Sequence, residues 1–285
     1  MIDLHVHTTA SDGEYSPSEV IQLAKDNNVT TIAITDHDTT EGIEEALEAG
    51  KKLGIEVIPG IELNAKVEKG KMHIVGYFIN INDKDFLKSM EDLKKDRKER
   101  NKKFIEEFNK KGIHITLEQV KKYVIGNVVG KPHFARTLYD NGYITNIKEA
   151  YSNYFNVEPF NKIKRKGITP KEAIQMIKDA GGIAVIAHPV TLKLEDEELK
   201  NKIKELKEYG LDGVECYNNI HTTEDIEKLK KIARENNLLI TAGSDFHGPI
   251  TTPNVEIGKG KNNNIISDVP DMVEKIKGRK NMAQN

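Results

Sequence analysis

Short apolar segments alternate with capped helical segments at both ends of this 285-residue chain, and this alternation is the feature that most constrains its fold. Residues 1–7 alternate between apolar and polar side chains, which is the period of a strand with one buried face. Ser16, Pro17 and Glu19 then supply an N-cap, a first-turn proline and a capping-box acid, which predict a helix. The same succession predicts seven strands, at residues 1–7, 31–35, 57–61, 72–78, 183–187, 213–217 and 238–242. Alternating strands and helices favour an α/β fold built on a parallel sheet with right-handed crossovers.

The chain changes character between residues 81 and 168, where a long, highly charged helical stretch carries only sparse apolar residues. We interpret this range as an inserted helical subdomain. The β/α pattern resumes at Thr169, Pro170 and Glu172, which form a second capping box. The sequence therefore predicts one barrel domain made of residues 1–80 and 169–285, interrupted by an insertion at 81–168.

The charge balance and the cysteine count limit the partners of the protein. The 43 lysines and arginines nearly cancel the 45 aspartates and glutamates, so no overall field attracts nucleic acid or an anionic membrane. The single cysteine, Cys216, excludes a disulfide framework and a thiolate metal site, and its apolar neighbours indicate an inert core thiol. The sequence shows no signal segment and no apolar run of membrane-spanning length. We therefore expect a cytoplasmic protein with no membrane partner and no obligate protein partner.

Residues of the types that bind metal ions are concentrated at the ends of the predicted strands. They are His5 and His7 on the first strand, Asp36, His37 and Asp38 after the second, Glu62 after the third, His73 within the fourth, His188 after the fifth, and Asp245 and His247 after the seventh. Because the carboxyl ends of the strands in a parallel β/α barrel meet at one mouth, these side chains should converge. Imidazole and carboxylate ligands suit Mn, Zn or Fe, and so many of them exceed what one ion can use. The sequence predicts two or three divalent ions, with a carboxylate such as Glu62 bridging two of them and an acidified water attacking phosphorus.

Each of these motifs taken alone has a simpler interpretation. A His-x-His pair on a strand often forms only a polar face, and an aspartate after a strand often caps the next helix. Six of the nine histidines lie in this pattern, however, and a purely structural cluster would bring several acids together with nothing to neutralise them. The combination favours metal binding.

Five stretches of the chain resemble the motifs of PHP (polymerase and histidinol phosphatase) domain phosphoesterases. They are Asp3-Leu4-His5-Val6-His7-Thr8 with Ser11-Asp12-Gly13, Thr35-Asp36-His37-Asp38, Gly60-Ile61-Glu62, Ala187-His188-Pro189, and Gly243-Ser244-Asp245-Phe246-His247-Gly248. The resemblance implies a distorted seven-stranded (β/α)7 barrel, similar to a TIM barrel, with a trinuclear metal site. The ligands it implies are His5, His7, Glu62 and Asp245 for one ion, Glu62, His73 and His188 for a second, and Asp12, His37 and His247 for a third.

A motif in the insertion is similar to that of one group of PHP proteins. Residues 130–136, Gly-Lys-Pro-His-Phe-Ala-Arg, resemble the Gly-Arg-Pro-His-x-Ala-Arg signature of members that remove phosphate from 3′,5′-nucleoside bisphosphates or trim RNA from a 5′-monophosphate end. The resemblance implies a small nucleotide or a short 5′-phosphorylated RNA as substrate, and makes the insertion a substrate-recognition subdomain. The predicted substrate-binding residues are Arg97, Arg100, Lys131, His133 and Arg136.

Physical arguments for these residues point both ways. Arginine binds phosphate with two parallel hydrogen bonds, and Arg97 and Arg100 share one helix face. His133 begins a helix, where backbone N–H groups favour an anion. A charged run such as residues 94–103 is nevertheless often only a solvated helix face.

Three residues are predicted to act in catalysis. Glu62 and Asp245 would hold the cations whose bridging hydroxide attacks a terminal phosphate in line. His221, after the sixth strand, would contact the substrate phosphate or protonate the leaving oxygen, although a lone histidine in a loop is more often merely exposed.

Three alternatives remain open at this point. A metal-dependent amidohydrolase also begins with His-x-His on a barrel strand, but usually has a carbamylated lysine as its bridging ligand, where this chain has Glu62. A non-catalytic module would use the metals only to stabilise the fold and the insertion to bind nucleic acid. A histidinol phosphatase shares the metal chemistry and differs in the groups that bind the rest of the substrate.

Overall fold

Strands and helices alternate along most of the chain in the computed structural model, which describes residues 1–124, 128–266 and 271–283. The strands are β1 (Ile2–Val6), β2 (Thr31–Ile34), β3 (Glu56–Ala65), β4 (Met72–Tyr77), β5 (Ile183–Ala187), β6 (Gly213–Asn218) and β7 (Leu239–Gly243). The α-helices are α1 (Pro17–Asp26), α2 (Ile43–Leu53), α3 (Lys84–Lys110), α4 (Leu117–Lys121), α5 (Lys131–Asp140), α6 (Pro170–Asp179), α7 (Asp196–Glu208), α8 (Thr223–Glu235) and α9 (Met272–Ala283). Short π or 3₁₀ turns occur at Tyr151–Phe155, Phe160–Lys162 and Pro189–Leu192.

Local sequence signals explain where several helices begin and end. The Ser16 hydroxyl accepts a hydrogen bond from the Glu19 N–H at the start of α1, and the Glu19 carboxylate accepts one from the Ser16 N–H at 2.8 Å. Thr169 and Glu172 form the same reciprocal pair at the start of α6. Helix α2 ends at Gly54, which adopts the left-handed φ of 74° that a glycine tolerates.

The seven strands form one sheet in the order of the chain, which confirms the predicted α/β fold with a seven-stranded barrel. The prediction of an all-parallel sheet is wrong at β4, which runs antiparallel to both β3 and β5. Only residues 66–71 join β3 to β4, and such a short link cannot hold the crossover helix that a parallel pair needs. As a result, the beginning of β4, and not its end, lies at the same edge as the ends of the parallel strands.

Strand β3 is longer than predicted because it pairs with different neighbours along its length. Residues 56–59 pair with β2 in parallel, whereas residues 60–65 pair with β4 in an antiparallel hairpin. Glu62 therefore lies inside β3 and not at its end. In this register His73 of β4 lies opposite Asn64 of β3 and Ala187 of β5, one residue before His188.

Hydrogen bonds between β1 and the chain after β7 bring the two sides of the sheet together. The His7 N–H donates to the Phe246 carbonyl at 3.0 Å, and the Asp245 N–H donates to the His5 carbonyl at 2.8 Å. Asp3 adds to this seam, because its carboxylate accepts from the Ser244 and Gly258 N–H groups, each at 2.8 Å. The sheet is thus a nearly closed barrel. At the seam, the first ligand-type residues of the chain, His5 and His7, meet the last ones, Asp245 and His247.

The chain divides into two compact units, Met1–Ser89 with Ile168–Asn285, and Met90–Gly167. In the first unit, apolar side chains of α1 and α2, such as Ile21 and Ile43, pack in one core with side chains of β1 and β2, such as Ile34. The second unit has its own core, dominated by buried phenylalanines: Phe104, Phe108, Phe134, Phe155 and Phe160. Cys216 is fully buried in β6, and burial raises the pKa of its thiol well above its usual range.

Asp96 connects the two ends of the second unit. Its carboxylate accepts hydrogen bonds from the Lys166 and Gly167 N–H groups at 2.9 and 2.8 Å.

Among the helices that the structure describes, none is both long enough and apolar enough to cross a membrane.

The barrel seam predicts a destabilising substitution at Gly243. An added Cβ there would lie against the His5 Cβ and within 2.7 Å of the His5 backbone nitrogen. Such overpacking costs ~1–3 kcal/mol, so Gly243→Ala should lower the melting temperature by several degrees. Gly278→Ala in α9 is the matched control, since an added Cβ there meets no atom within 4 Å. Equal melting temperatures for wild type and Gly243→Ala, measured by circular dichroism, would contradict the close approach of β7 to β1.

Candidate metal centre

The structure brings all nine predicted ligand residues together at the barrel mouth, within the first unit. Their ligand atoms form four overlapping groups, in each of which the atoms lie within 4.8 Å of one another. The groups are His7, Asp12, His37 and His247; His5, His7 and Asp245; His5, Glu62 and His188; and His37, Glu62 and His73. Residues on or after β1, β2, β3, β4, β5 and β7 therefore contribute to one continuous cluster.

Glu62 is the centre of this cluster. Its carboxylate is fully buried, and one oxygen lies 2.8 Å from His73 Nδ1 and 3.0 Å from His188 Nε2. The other oxygen lies 2.8 Å from His37 Nδ1. Burial alone would raise the pKa of Glu62, but the neighbouring histidines outweigh it and hold the pKa well below its usual range. Glu62 is thus a carboxylate with positive or metal-binding partners on both oxygens.

Asp245 lies beside the two histidines of β1 and its exit. Its Oδ1 is 3.2 Å from His7 Nε2 and 3.6 Å from His5 Nε2. His5 Nε2 and His7 Nε2 are in turn each 3.4 Å from a Glu62 oxygen. The backbone of Asp245 has a left-handed φ of 52°, which aims its carboxylate at this pair.

The third group lies around Asp12, in the loop after β1. Asp12 Oδ1 is 3.4 Å from His247 Nε2, and Oδ2 is 3.9 Å from His37 Nε2. His247 donates through Nδ1 to the Asp245 carbonyl at 2.9 Å, so its Nε2 faces Asp12. The Asp12 side chain is 32% exposed, which makes this the most open of the groups.

The donor atoms fit divalent cations. His5 Nε2, His7 Nδ1, His7 Nε2 and Glu62 Oε2 are buried and make no hydrogen bond of good geometry with the described residues, although Glu62 Oε2 lies 2.8 Å from His37 Nδ1. Buried polar atoms normally have partners, since leaving them unmet is costly. Burial, with the field of His247, lowers the pKa of His7 to about 3, so its imidazole is neutral at pH 7 and can offer a lone pair to a cation. A set of imidazoles and carboxylates without thiolate suits Zn, Mn or Fe.

Two acids that the sequence pattern included lie outside the four groups. Asp36 turns to the loop after β1 and accepts hydrogen bonds from the Thr8 N–H and hydroxyl, at 2.8 and 2.7 Å, and from the Ser11 hydroxyl. Asp38 accepts from the Asn64 N–H at 3.3 Å. Burial raises the pKa of Asp36 to about 6 against these hydrogen bonds. Asp36 therefore supports the loop that carries Asp12.

Sequence reasoning missed Glu215, a buried acid on β6. Its Oε1 accepts from His5 Nδ1 at 2.9 Å, and its Oε2 accepts from the His188 N–H at 2.7 Å. The signal was present as a single acid in the otherwise apolar segment 213–217. Only strand pairing reveals that this acid faces the histidines.

His221 is buried and not exposed, in contrast to the simpler interpretation of a loop histidine. Its Nδ1 donates to the Cys216 carbonyl at 2.9 Å, and its Nε2 has no partner among the described residues. Burial lowers the pKa of the ring. The Asn264 side chain fixes this loop, since its amide donates to the carbonyls of Asn218 and Asn219 at 2.9 and 3.0 Å.

The five predicted substrate-binding residues all lie in the second unit. Arg100 donates to the Val129 carbonyl at 3.2 Å and lies over the Phe104 ring. Arg97 precedes it by one turn of α3.

The other three lie on α5. Lys131 lies 5.3 Å from the Phe155 ring centroid. His133 Nδ1 accepts from the Gly130 N–H at 2.9 Å. Arg136 pairs with Asp140 at 3.1 Å, yet its side chain is 56% exposed.

Two curated relatives align with most of the chain. The 5′-3′ exoribonuclease of Haemophilus influenzae is 33% identical over 274 residues, which cover 96% of this chain and 98% of the relative. The 3′,5′-nucleoside bisphosphate phosphatase of Chromobacterium violaceum is 28% identical over 249 residues, 87% of each chain.

Two solved structures are similar over nearly the whole chain. An amidohydrolase from Chromobacterium violaceum with bound sulfate has a TM-score of 0.80 and 26% identity, and covers 100% of this chain and 99% of its own. A candidate metal-dependent phosphoesterase from Bifidobacterium adolescentis has a TM-score of 0.78 and 28% identity, and covers 98% and 96%. Residues 3–209 match the PHP domain family. With its barrel and its His/Asp/Glu cluster, this chain belongs to the PHP domain family of metal-dependent phosphoesterases.

Proposed function

We propose that this protein hydrolyses phosphate esters of nucleotides, with 3′,5′-nucleoside bisphosphates and 5′-monophosphorylated RNA oligonucleotides as its candidate substrates. The observation that supports this most is the buried Glu62 carboxylate, with histidine nitrogens against both of its oxygens. Two of the relatives that align with most of the chain are named as an exoribonuclease and a nucleoside bisphosphate phosphatase. Small nucleotides or short RNA are therefore the proposed partners.

Two or three divalent ions, Mn, Zn or Fe, would occupy the cluster in this proposal. The proposed ligands are His5, His7, Glu62 and Asp245 for the first ion, Glu62, His73 and His188 for the second, and Asp12, His37 and His247 for the third. The side-chain contacts that support these sets join His5 and His7 to Glu62, His73 and His188 to Glu62, and His37 and His247 to Asp12. When bound, such ions would acidify a water and neutralise the charge of a phosphate. Histidines proposed for different ions lie against this one carboxylate, His73 and His188 at one oxygen and His7 at the other, which suits a ligand shared between ions.

Three side chains at the barrel mouth would act on the reacting groups. Glu62 and Asp245 hold their histidine neighbours in a fixed arrangement and so place the phosphate and the attacking water. His221 is committed at Nδ1 to the Cys216 carbonyl, which leaves Nε2 to contact the substrate. Burial lowers the pKa of the His221 ring, and Nε2 is the nitrogen proposed to contact the substrate phosphate or to protonate the leaving oxygen.

The insertion would supply substrate recognition. Helix α5 begins at Lys131 with Gly130 as its N-cap, and the N–H groups of a helix start favour an anion. Arg97, Arg100, Lys131, His133 and Arg136 are the proposed contacts to the nucleotide. The half-exposed guanidinium of Arg136, which lies over the Tyr123 and Tyr139 rings, is the one we consider best suited to bind phosphate.

The alternatives are less well supported. Histidinol phosphatase is not favoured, since both relatives above act on nucleotides or RNA according to their names. An amidohydrolase is a weaker candidate, although one similar structure is called an amidohydrolase, because Glu62 occupies the bridging position. A non-catalytic module would be expected to have lost ligands, and all nine predicted positions keep a ligand-type residue.

A substrate comparison tests the proposal. The manganese-reconstituted protein should release phosphate from adenosine 3′,5′-bisphosphate, or mononucleotides from a 5′-phosphorylated oligoribonucleotide, much faster than phosphate from histidinol phosphate. An N-acyl amino acid serves as the amidohydrolase substrate. Preference for histidinol phosphate or for the amide would overturn the proposed substrate class, and inactivity towards all four with metal bound would favour the non-catalytic module.

Glu62→Gln should reduce both metal content and turnover, because two proposed ions share that carboxylate. The loss of activity should exceed the ~10–100-fold effect that is typical of residues outside the ligand set. Glu56→Gln is the matched control, since Glu56 lies on the same strand but at the opposite end, where it pairs with Lys277. Metal content by inductively coupled plasma mass spectrometry should fall only in Glu62→Gln. Full occupancy and full turnover in that variant would refute the shared-ligand assignment.

Arg136→Ala should raise KM for nucleotide substrates by roughly tenfold or more, as the loss of one charge-assisted phosphate contact predicts, with a smaller effect on kcat. Lys121→Ala removes a positive charge from an exposed residue of the same unit and serves as the control. Unchanged steady-state kinetics of Arg136→Ala with every nucleotide would remove Arg136 from the substrate site.

A further inference from the structure

Glu215 of β6 is a buried carboxylate with both of its oxygens in use. Its side chain is 1% exposed. Oε1 accepts from His5 Nδ1 at 2.9 Å, and Oε2 accepts from the His188 N–H at 2.7 Å and from Asn218 Nδ2 at 3.0 Å. A single acid thus connects β1, the exit of β5 and the end of β6.

The contact with His5 decides which ring nitrogen can bind a cation. An ionised carboxylate can only accept hydrogen bonds, so His5 Nδ1 must carry the proton that it donates to Glu215. In the neutral ring that binds a cation, the lone pair is then on Nε2, which lies 3.4 Å from Glu62 and 3.6 Å from Asp245. His5 Nε2 is also one of the buried nitrogens with no hydrogen-bond partner among the described residues. The ring is therefore oriented with its lone pair towards the other ligands.

The contact with His188 acts on the backbone. His188 has a φ of +28°, a conformation that a residue with a side chain adopts only when its surroundings hold it there. The hydrogen bond from its N–H to Glu215 is one such constraint. From this backbone position the His188 ring places Nε2 3.0 Å from Glu62.

The space around Glu215 leaves it no second position. A Cβ at Gly243 of β7 would lie 2.8 Å from Glu215 Oε1, so the glycine backbone packs directly against the carboxylate. On the other side, Asn218 is fully buried and donates to Oε2, while its own carbonyl accepts from Asn264. The carboxylate is therefore packed against β7 and held by Asn218 at the end of its own strand.

We propose that Glu215 is a positioning residue for the metal centre: it fixes His5 with Nε2 towards the cations and holds the backbone of His188. The inference rests on the proposed metal centre, and it concerns a residue that touches neither the cations nor the substrate. Carboxylates that bind the second nitrogen of a metal-ligating histidine typically change metal affinity ~10–100-fold when they are removed.

Glutamine cannot replace Glu215 without a conflict. If the amide N–H₂ faces His5, it donates to Nδ1 and moves the ring proton to Nε2, where it blocks a cation. If the amide N–H₂ faces His188 instead, it meets the His188 N–H and Asn218 Nδ2, and these three hydrogen-bond donors have no acceptor between them. Glu215→Gln should therefore weaken the affinity for Mn²⁺ or Zn²⁺ ~10–100-fold.

Asp212→Asn is the matched control. Asp212 is a similarly buried carboxylate that precedes β6, accepts from the Ala184 N–H at 2.9 Å and pairs with Lys178 at 2.8 Å. The Asp212→Asn substitution removes one buried negative charge from the same barrel, so it can lower the free energy of unfolding. Its metal affinity should equal that of wild type, because Asp212 contacts none of the proposed ligands in these bonds.

The test is a competition titration of each metal-free protein with Mn²⁺ and with Zn²⁺ against a chelator, which needs no substrate. Wild type that binds neither ion would refute the metal centre itself. Wild type that binds, with Glu215→Gln equal to it, would refute the role of Glu215 alone. Weakening in both Glu215→Gln and Asp212→Asn would show a general loss of stability and would likewise overturn the proposal.

A second measurement avoids variants that fail to fold. In the zinc-loaded wild-type protein labelled with ¹⁵N-histidine, long-range ¹H–¹⁵N spectra distinguish a protonated nitrogen from a metal-bound one. His5, assigned by His5→Gln, should show a protonated Nδ1 and a metal-bound Nε2. The opposite pattern would contradict the proposal, whatever the stability of Glu215→Gln.

Discussion

The barrel mouth is organised around one buried charge, the Glu62 carboxylate. A carboxylate removed from water is costly unless opposite charges, hydrogen bonds or metal ions compensate it. Here the compensation comes from histidines on β1, β4 and the exits of β2 and β5, at distances from 2.8 to 3.4 Å. The antiparallel β4 is part of this solution, because its reversed direction brings the start of the strand, with His73, to the mouth. The direction of β4 in the sheet therefore supplies one of the histidines that compensate the buried charge of Glu62.

A second layer of acids supports this centre without joining it. Asp36 binds the loop that carries Asp12, Asp3 binds the N–H groups of Ser244 and Gly258, and Glu215 binds His5 and the backbone of His188. Each of these carboxylates accepts backbone N–H groups from a neighbouring strand exit. Such a layer holds the ligand-bearing loops in place before any cation binds, which reduces the reorganisation that binding requires.

The two units use different means of stabilisation. The barrel unit combines an aliphatic core with buried polar networks, whereas the second unit is built around a cluster of phenylalanines and closed by Asp96 at its end. Several cations proposed for substrate binding also make contacts inside that unit, such as Arg100 with the Val129 carbonyl and Arg136 with Asp140. These contacts limit the rotamers of the side chains, so a phosphate that binds them would meet groups that are already ordered.

The resemblance to the PHP motifs added Asp12 to the eight ligand-type residues that the strand pattern indicated. The sequence by itself determined the positions of the strands and the capped helix starts, because apolar periodicity and capping chemistry are local properties. It could not determine the direction of β4, which depends on pairing with β5 more than 100 residues later. Nor could it show which of several nearby acids faces the centre: Asp12 does, Asp36 does not, and Glu215 supports it from an apolar strand. The reason is physical, since a carboxylate is placed by the N–H groups and histidines that surround it, and these come from distant parts of the chain that only the closed barrel brings together.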